Sequence, residues 1–268
     1  MLQNVKEKGL VLLGCGKMGS AMLKGWLANG MPASSVFVMD PYPSNWLQGL
    51  GVHLNTPLPA TPAICIIAVK PQMMGEALPQ IAALGGGKTV FLSIAAGTPI
   101  AAFAEILGPD TPIIRAMPNT PAAVGRGITA LIGNDKTDAS AMSMADELLQ
   151  AVGQTVRLDN EAQMDAVTAV SGSGPAYVFH LIETLAAAGA AEGLPAELAM
   201  KLAKATVGGA GELAERAAES PSELRVNVTS PGGTTAAALE ILMASDGFPV
   251  LLQRAVKAAA DRSRELGE

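Results

Sequence analysis

The segment Gly14-Cys15-Gly16-Lys17-Met18-Gly19 constrains this chain most, because of what stands on either side of it. Before it, Leu10–Leu13 is a short apolar run of the kind that makes a buried strand. After it, residues 18–28 have helical character and Gly30 supplies a stop. A glycine in the first place permits the tight turn, one in the second lets a ligand approach the backbone, and one in the third lets helix and strand pack closely. The free N–H groups at the start of such a helix, with the positive end of its dipole, favour an anion. The pattern predicts a strand, turn and helix that hold the pyrophosphate of a dinucleotide, with Gly14, Cys15, Gly16, Lys17, Met18 and Gly19 along it.

The rest of the N-terminal half repeats the alternation. Residues 35–39 read as a second strand ending at Asp40, residues 63–69 and 89–94 as further buried strands, and residues 112–115 and 128–132 as weaker ones. Helical stretches lie between them, notably residues 100–107 and 138–151. Strands alternating with helices imply a mostly parallel sheet covered on both faces, an α/β, Rossmann-like domain. After Asp159 the pattern changes, and residues 164–170, 176–192, 195–218, 235–243 and 249–266 all read as helices. Gly193 ends one helix, Pro195 suits the first turn of the next, and Ser220-Pro221-Ser222-Glu223 is a capping-box start. The expected organisation is a dinucleotide-binding domain over residues 1–158 and an all-helical domain for substrate and dimerisation over residues 159–268. Residues 177–191 are apolar nearly all round, interrupted mainly by His180, Glu183 and Thr184. A helix apolar on every side must be buried on every side. A small helical domain cannot do that alone, so a homodimer or higher homo-oligomer is expected.

Composition narrows the function classes. The chain is 49% hydrophobic and 16% charged, a globular balance, and its 3% aromatic content leaves helix packing to Ala, Leu and Met. A formal net charge of −6 argues against a nucleic-acid groove, which needs clustered Lys and Arg. The only cysteines are Cys15 and Cys65, which suits a reduced, cytoplasmic protein better than a disulfide framework. The only histidines, His53 and His180, lie far apart in sequence, so no metal site is expected. Neither a signal peptide nor a membrane span is expected, since residues 1–9 lack an apolar region and no long apolar run follows.

Several segments read as chemistry. Asp40 stands where an acidic residue binds the ribose diol of NAD and repels a 2′-phosphate; its plainer reading is a turn residue before Pro41. Val69-Lys70-Pro71 closes a strand at the edge where such folds place ligands, or is a simple strand-ending turn. Ala95-Ala96-Gly97 has the small side chains that close cofactor approach, or ordinary tight packing, requires. Met117-Pro118-Asn119-Thr120-Pro121 is a stiff loop that either shapes a nicotinamide pocket or is a rigid turn. In Ser230-Pro231-Gly232-Gly233-Thr234-Thr235, two glycines precede a helix start, so bare N–H groups can converge on a carboxylate. The alternative is that one threonine is merely the helix cap. The segment Ser171-Gly172-Ser173-Gly174-Pro175 precedes another helix and is either a pocket wall or a packing turn.

Taken in order and spacing, the glycine turn, Ala68-Val69-Lys70-Pro71, Ser93-Ile94-Ala95-Ala96-Gly97, residues 115–121, Ser171-Gly172-Ser173-Gly174-Pro175-Ala176-Tyr177 and Ser230–Thr235 resemble pyrroline-5-carboxylate reductase over essentially the whole chain. The resemblance implies reduction of the cyclic imine 1-pyrroline-5-carboxylate to L-proline, the last step of proline biosynthesis, by hydride transfer from NADP(H), with NAD(H) the alternative. It also implies a helical domain that interlocks with a partner subunit. By position it places Ala68, Val69, Lys70, Pro71 and Ala96 along the cofactor, Asn55 near the adenosine ribose or its phosphate, and Asn227 in contact with cofactor. Glu161, Thr234 and Thr235 fall around the bound amino acid, next to Gly232 and Gly233 with their bare N–H groups; the alternative for Glu161 is a carboxylate at a helix start that faces solvent. Asp40 departs from the NADP-using pattern. A β-hydroxyacid-type dehydrogenase shares the first turn, but such enzymes resemble one another in a lysine near the second glycine-rich segment, and none occurs here between Lys136 and Lys201. A non-catalytic nucleotide-sensing protein is a third reading that fold alone leaves open.

Overall fold

The computed structural model describes residues 2–267; Met1 and Glu268, the outer ends of the two expected domains, lie outside it. In chain order the first elements are α1 (Leu2–Lys8), β1 (Leu10–Leu13), α2 (Lys17–Ala28), β2 (Val36–Met39), α3 (Asn45–Gln48), β3 (His53–Leu54) and β4 (Ile64–Ile67). There follow α4 (Met74–Ala77), β5 (Val90–Ser93), α5 (Ile100–Leu107), β6 (Ile113–Met117), β7 (Gly127–Gly133), α6 (Ala139–Leu149) and β8 (Gly153–Arg157). The eight strands form one sheet in the order β3-β2-β1-β4-β5-β6-β7-β8. Every pairing is parallel except β6 with β7, so β7 and β8 run against the other six.

Burial explains the architecture. Every residue of β1 and β4 is buried. Alternation sends Leu10, Leu12, Ile64 and Ile66 to one face, where they meet Met22, Leu23 and Trp26 of α2 and Leu148 of α6. Val11, Leu13, Cys65 and Ile67 go to the other face, with Phe103 and Leu107 of α5 and Ile81. The Trp26 indole N–H donates to the carbonyl of Leu148 at 2.8 Å, so its one polar atom is satisfied inside the core.

The parallel α/β sheet followed by helices is as expected, with additions. The helix α1, the two-residue strand β3 and the edge strand β8 are elements that hydrophobic patterning did not indicate. Where one helix was expected over residues 164–170, α7 (Met164–Val167) widens into a π-helical turn over Thr168–Gly172. The sheet ends at Arg157, yet the first compact unit runs on to Gly172 and takes back the chain from Ala259 onward. Met164 and Ala169 are buried within it, and Ser263 donates to Asp165 at 2.6 Å.

The second compact unit, Ser173–Ala258, is helical. It holds α8 (Gly174–Ala191), α9 (Ala196–Arg216), α10 (Pro221–Asn227), α11 (Thr234–Leu242) and most of α12 (Phe248–Glu265). The helices α8 and α9 approach closely, since a Cβ on Gly189 would sit 3.5 Å from that of Ala199. The capping box at Ser220 is complete: the Ser220 N–H donates to Glu223 at 2.7 Å and the Glu223 N–H donates to the Ser220 hydroxyl at 3.3 Å. The Ser220 hydroxyl, which donates to the Glu223 carboxylate at 2.7 Å, and after it the Ser220 N–H hold that carboxyl below its ordinary range. Among the described residues of this unit only Ala186, Ala199 and Ala203 are buried. No described helix is long and apolar enough to cross a membrane.

Candidate active site

The strand order reverses between β1 and β4, and the carboxyl ends of the strands on either side of that point form the crevice where such sheets take ligands. The register of Leu13 with Ile67, and of Ile67 with Ser93, brings three loops out side by side. The first is the glycine turn, and its three glycines do different work. Gly14 has φ +88°, and a Cβ there would lie 2.9 Å from the Val69 side chain and 3.0 Å from the Ala68 carbonyl. Gly19 lies under the turn, where a Cβ would be 2.6 Å from the Gly14 carbonyl oxygen. Gly16 would meet nothing within 4 Å. It is the N-cap of α2, with no side chain closing the helix start. Its face is bare, and the open N–H groups beyond it suit a phosphate. The residues present fit a dinucleotide.

The second loop, residues 68–71, touches the first, because the Ala68 N–H donates to the Leu13 carbonyl at 2.8 Å. Lys70 is exposed as the N-cap of a 3-10 turn begun by Pro71. In the third loop, Ala96 precedes Gly97 (φ +80°), which packs against the chain's return at Leu266.

Asp40 closes the other side of the glycine turn. One of its carboxylate oxygens accepts from the Cys15 N–H and the other from the Tyr42 N–H, both at 2.8 Å. Asn55, at φ +51°, accepts from the Asp40 N–H at 2.9 Å and donates to the Asp40 carbonyl at 2.8 Å. The turn reading of Asp40 is thus realised, and its charge still stands at the end of β2. Burial and the Asp40 charge together push the Cys15 thiol up to about 11, so it stays protonated at neutral pH. The stiff loop is a brace: Asn119 accepts from the Ile128 N–H at 3.0 Å and donates to the Ser171 hydroxyl at 3.3 Å.

Glu161 follows β8 at the start of a 3-10 turn. One carboxylate oxygen accepts from the Arg115 guanidinium at 2.8 Å and from the Ile100 N–H at 2.9 Å. Arg115 is 5% exposed, a charge inside an otherwise apolar strand. Sequence reasoning gave Arg115 no role, and the lone charged side chain in that apolar run was the one signal available.

In the second unit, α11 begins at Thr234 with Gly233 as its N-cap, and no side chain caps it. Neither Thr234 nor Thr235 is the cap; both lie in the first turn with their hydroxyls uncommitted to it. Gly232, at φ +70°, faces open space. Asn227 is exposed at the end of α10. The structure thus gathers Gly14 to Gly19, Asp40, Asn55, residues 68–71 and Ala96 at one sheet edge of the first unit. It gathers Gly232 to Thr235 at one helix start of the second.

Comparison with known proteins agrees in both units. Residues 161–266 match the family described as pyrroline-5-carboxylate reductase dimerisation, and residues 9–97 match that described as NADP oxidoreductase coenzyme F420-dependent. The chain is 39% identical over 265 residues to the pyrroline-5-carboxylate reductase of Pseudomonas aeruginosa, covering 97% of each. A solved pyrroline carboxylate reductase of Plasmodium falciparum with NADP bound superposes with a TM-score of 0.86 at 31% identity, over 98% of this chain and 99% of that one. A pyrroline-5-carboxylate reductase structure from Coxiella burnetii does so with a TM-score of 0.90 at 30% identity, over 97% and 99%. With a glycine turn built for a dinucleotide at one end and this likeness running through both units, the chain belongs to the pyrroline-5-carboxylate reductase family.

Proposed function

We propose that this protein reduces 1-pyrroline-5-carboxylate to L-proline with NADPH, the last step of proline biosynthesis. The observation that carries the reading is the near-complete coverage of both this chain and its reductase relatives. When bound, the dihydronicotinamide supplies a hydride to C5 of the imine, and the C=N π pair passes to the protonated nitrogen, which becomes the amine of proline. The chain must hold the two partners and meet the changing charge on nitrogen. Nothing in that task requires a His, Cys or carboxylate pair.

In this reading Gly14, Cys15, Gly16, Lys17, Met18 and Gly19 hold the pyrophosphate through the open start of α2. Ala68, Val69, Lys70, Pro71 and Ala96 line the dinucleotide beside it, Asn55 and Asp40 stand at its ribose end, and Asn227 is a further cofactor contact. The Asp40 carboxylate opposes a 2′-phosphate, so NADH is the second cofactor to test. Gly232 and Gly233 leave the start of α11 open to the substrate carboxylate, with Thr234 beside it. The Thr235 hydroxyl hydrogen-bonds the ring nitrogen. Residues 1–158 serve the cofactor, and residues 159–268 the substrate and a homodimer interface. The large side chains that the second unit leaves exposed, Phe179 and Leu185 among them, support that interface. The free thiols support a cytoplasmic location.

The test is pyrroline-5-carboxylate-dependent oxidation of NADPH and of NADH by the wild-type protein. Absence of both refutes the reading. Within it, Thr235→Ala lowers kcat/KM for the imine about 10- to 100-fold, the scale of one hydrogen bond to a charged group worth about 1.5–3 kcal/mol. Nucleotide affinity stays unchanged. If Thr234→Ala fails instead and Thr235→Ala is normal, the two hydroxyls exchange roles; if both are fully active, the substrate segment is misplaced.

A further inference from the structure

The third cofactor-side loop, residues 94–99, is small-chained over Ala95, Ala96 and Gly97 and ends in a helix start that its own sequence leaves open. Pro99 is the N-cap of α5 and offers no side-chain cap. The missing acceptor comes from far along the chain, where the Glu161 carboxylate takes the Ile100 N–H at 2.9 Å. The same oxygen takes the Arg115 guanidinium at 2.8 Å. Arg115 pairs in register with Ser93, the residue from which the loop departs, and the Ser93 hydroxyl accepts from the Ala95 N–H at 3.2 Å. One carboxylate therefore joins the far end of the loop to the strand beside its near end. From another side Gly97 fits against the backbone of the returning chain, where a Cβ on Gly267 would lie 2.6 Å from the Gly97 carbonyl oxygen.

We infer that Glu161, with Arg115, is a positioning residue for the cofactor: the pair sets the height of residues 94–97 above the sheet edge and so the space left for the dinucleotide. This rests on the proposed cofactor site, and it moves the work of Glu161 from the amino acid to the loop. The geometry supports the assignment because the carboxylate is held inside the first unit by two donors. The charge is also complementary on both counts, to a buried guanidinium and to the positive end of a helix. An exposed carboxylate with a merely electrostatic part would need neither.

Removing the Glu161 side chain leaves the buried Arg115 guanidinium unpaired, so that single variant loses stability whatever else it does. The decisive variant is Arg115→Met with Glu161→Leu, which removes both charges and leaves apolar groups of similar size. Its fold is checked by melting temperature, and its dissociation constant for NADPH by nucleotide fluorescence without substrate. The expected result is a melting temperature near wild type with NADPH bound about tenfold more weakly, because an uncapped loop no longer holds its place. Glu161→Gln, which keeps an acceptor for the Ile100 N–H, falls between the two, and the KM for pyrroline-5-carboxylate stays at the wild-type value in each. A well-folded double variant with wild-type NADPH affinity overturns the inference and leaves the pair a stability element. A raised imine KM with unchanged NADPH affinity also overturns it, returning Glu161 to the substrate. Because binding is read without turnover, a wild-type protein that binds NADPH but fails to reduce the imine counts against the proposed reaction alone.

Discussion

Phe179 lies on α8, a helix apolar on nearly every face, and is 57% exposed in the single chain. An aromatic side chain carries roughly 150–250 Å² of surface, so about 115 Å² of this ring has no partner within its own subunit. At about 25 cal/mol per Å², covering that area contributes about 3 kcal/mol per copy. In a two-fold interface the same residue is used twice, which brings the loss for Phe179→Ala to about 6 kcal/mol, or about four decades in dissociation constant. The full figure is an upper bound, since alanine retains part of the contact. Sedimentation equilibrium across nanomolar to micromolar concentrations reads it directly: wild type stays dimeric or larger throughout, and the variant dissociates within the range. The melting temperature of the variant then rises with protein concentration, as it must when folding and association are linked. A wild-type protein that sediments as a stable monomer, or a variant with unchanged association, refutes the reasoning.

The glycine turn separates cofactor binding from folding. Gly16→Val places its side chain in open space and keeps the melting temperature, but weakens NADPH binding by about tenfold or more; Gly19→Val meets the Gly14 carbonyl and lowers the melting temperature. Titration calorimetry and thermal unfolding on the two variants check this, and equal loss of stability in both contradicts it. Asp40→Asn keeps an acceptor for one of the two N–H groups while removing the charge, so the ratio of catalytic efficiencies shifts toward NADPH. The same variant has a second readout. The Cys15 thiol ionises at about 11, so its alkylation rate climbs about tenfold per pH unit through the neutral and mildly alkaline range. Without the Asp40 carboxylate the whole profile moves to lower pH, while burial, the larger cause, remains. An unmoved profile places the carboxylate away from the thiol.

What was legible from sequence follows a physical rule. Strands buried on both faces are nearly continuous apolar runs, so β1, β4 and β5 stand out as Leu10–Leu13, Ile64–Ile67 and Val90–Ser93. The edge strand β8 reads Gly-Gln-Thr-Val-Arg with no buried residue, and β3 has two residues, so neither carries a hydrophobic signature. The glycine turn was legible because each glycine answers a local backbone requirement. The partners of Asp40 and Glu161 were not, because Cys15 is 25 residues from Asp40 and Arg115 is 46 residues from Glu161. A carboxylate in a sequence announces charge, whereas which N–H groups it will take is decided only when the sheet is assembled. The threonines of α11 illustrate the same limit: sequence marked the helix start and left open whether a threonine caps it, and the structure gives the cap to Gly233.

The return of the chain to its first unit has a consequence for the order of folding. Ser263 bonds Asp165, Leu266 lies against Gly97, and Ala260 and Ser263 are buried there. All eight strands precede the helical unit in sequence, whereas the seat around Asp165 and Gly97 is filled only by chain that follows it. Contacts of such sequence separation close late and slow folding.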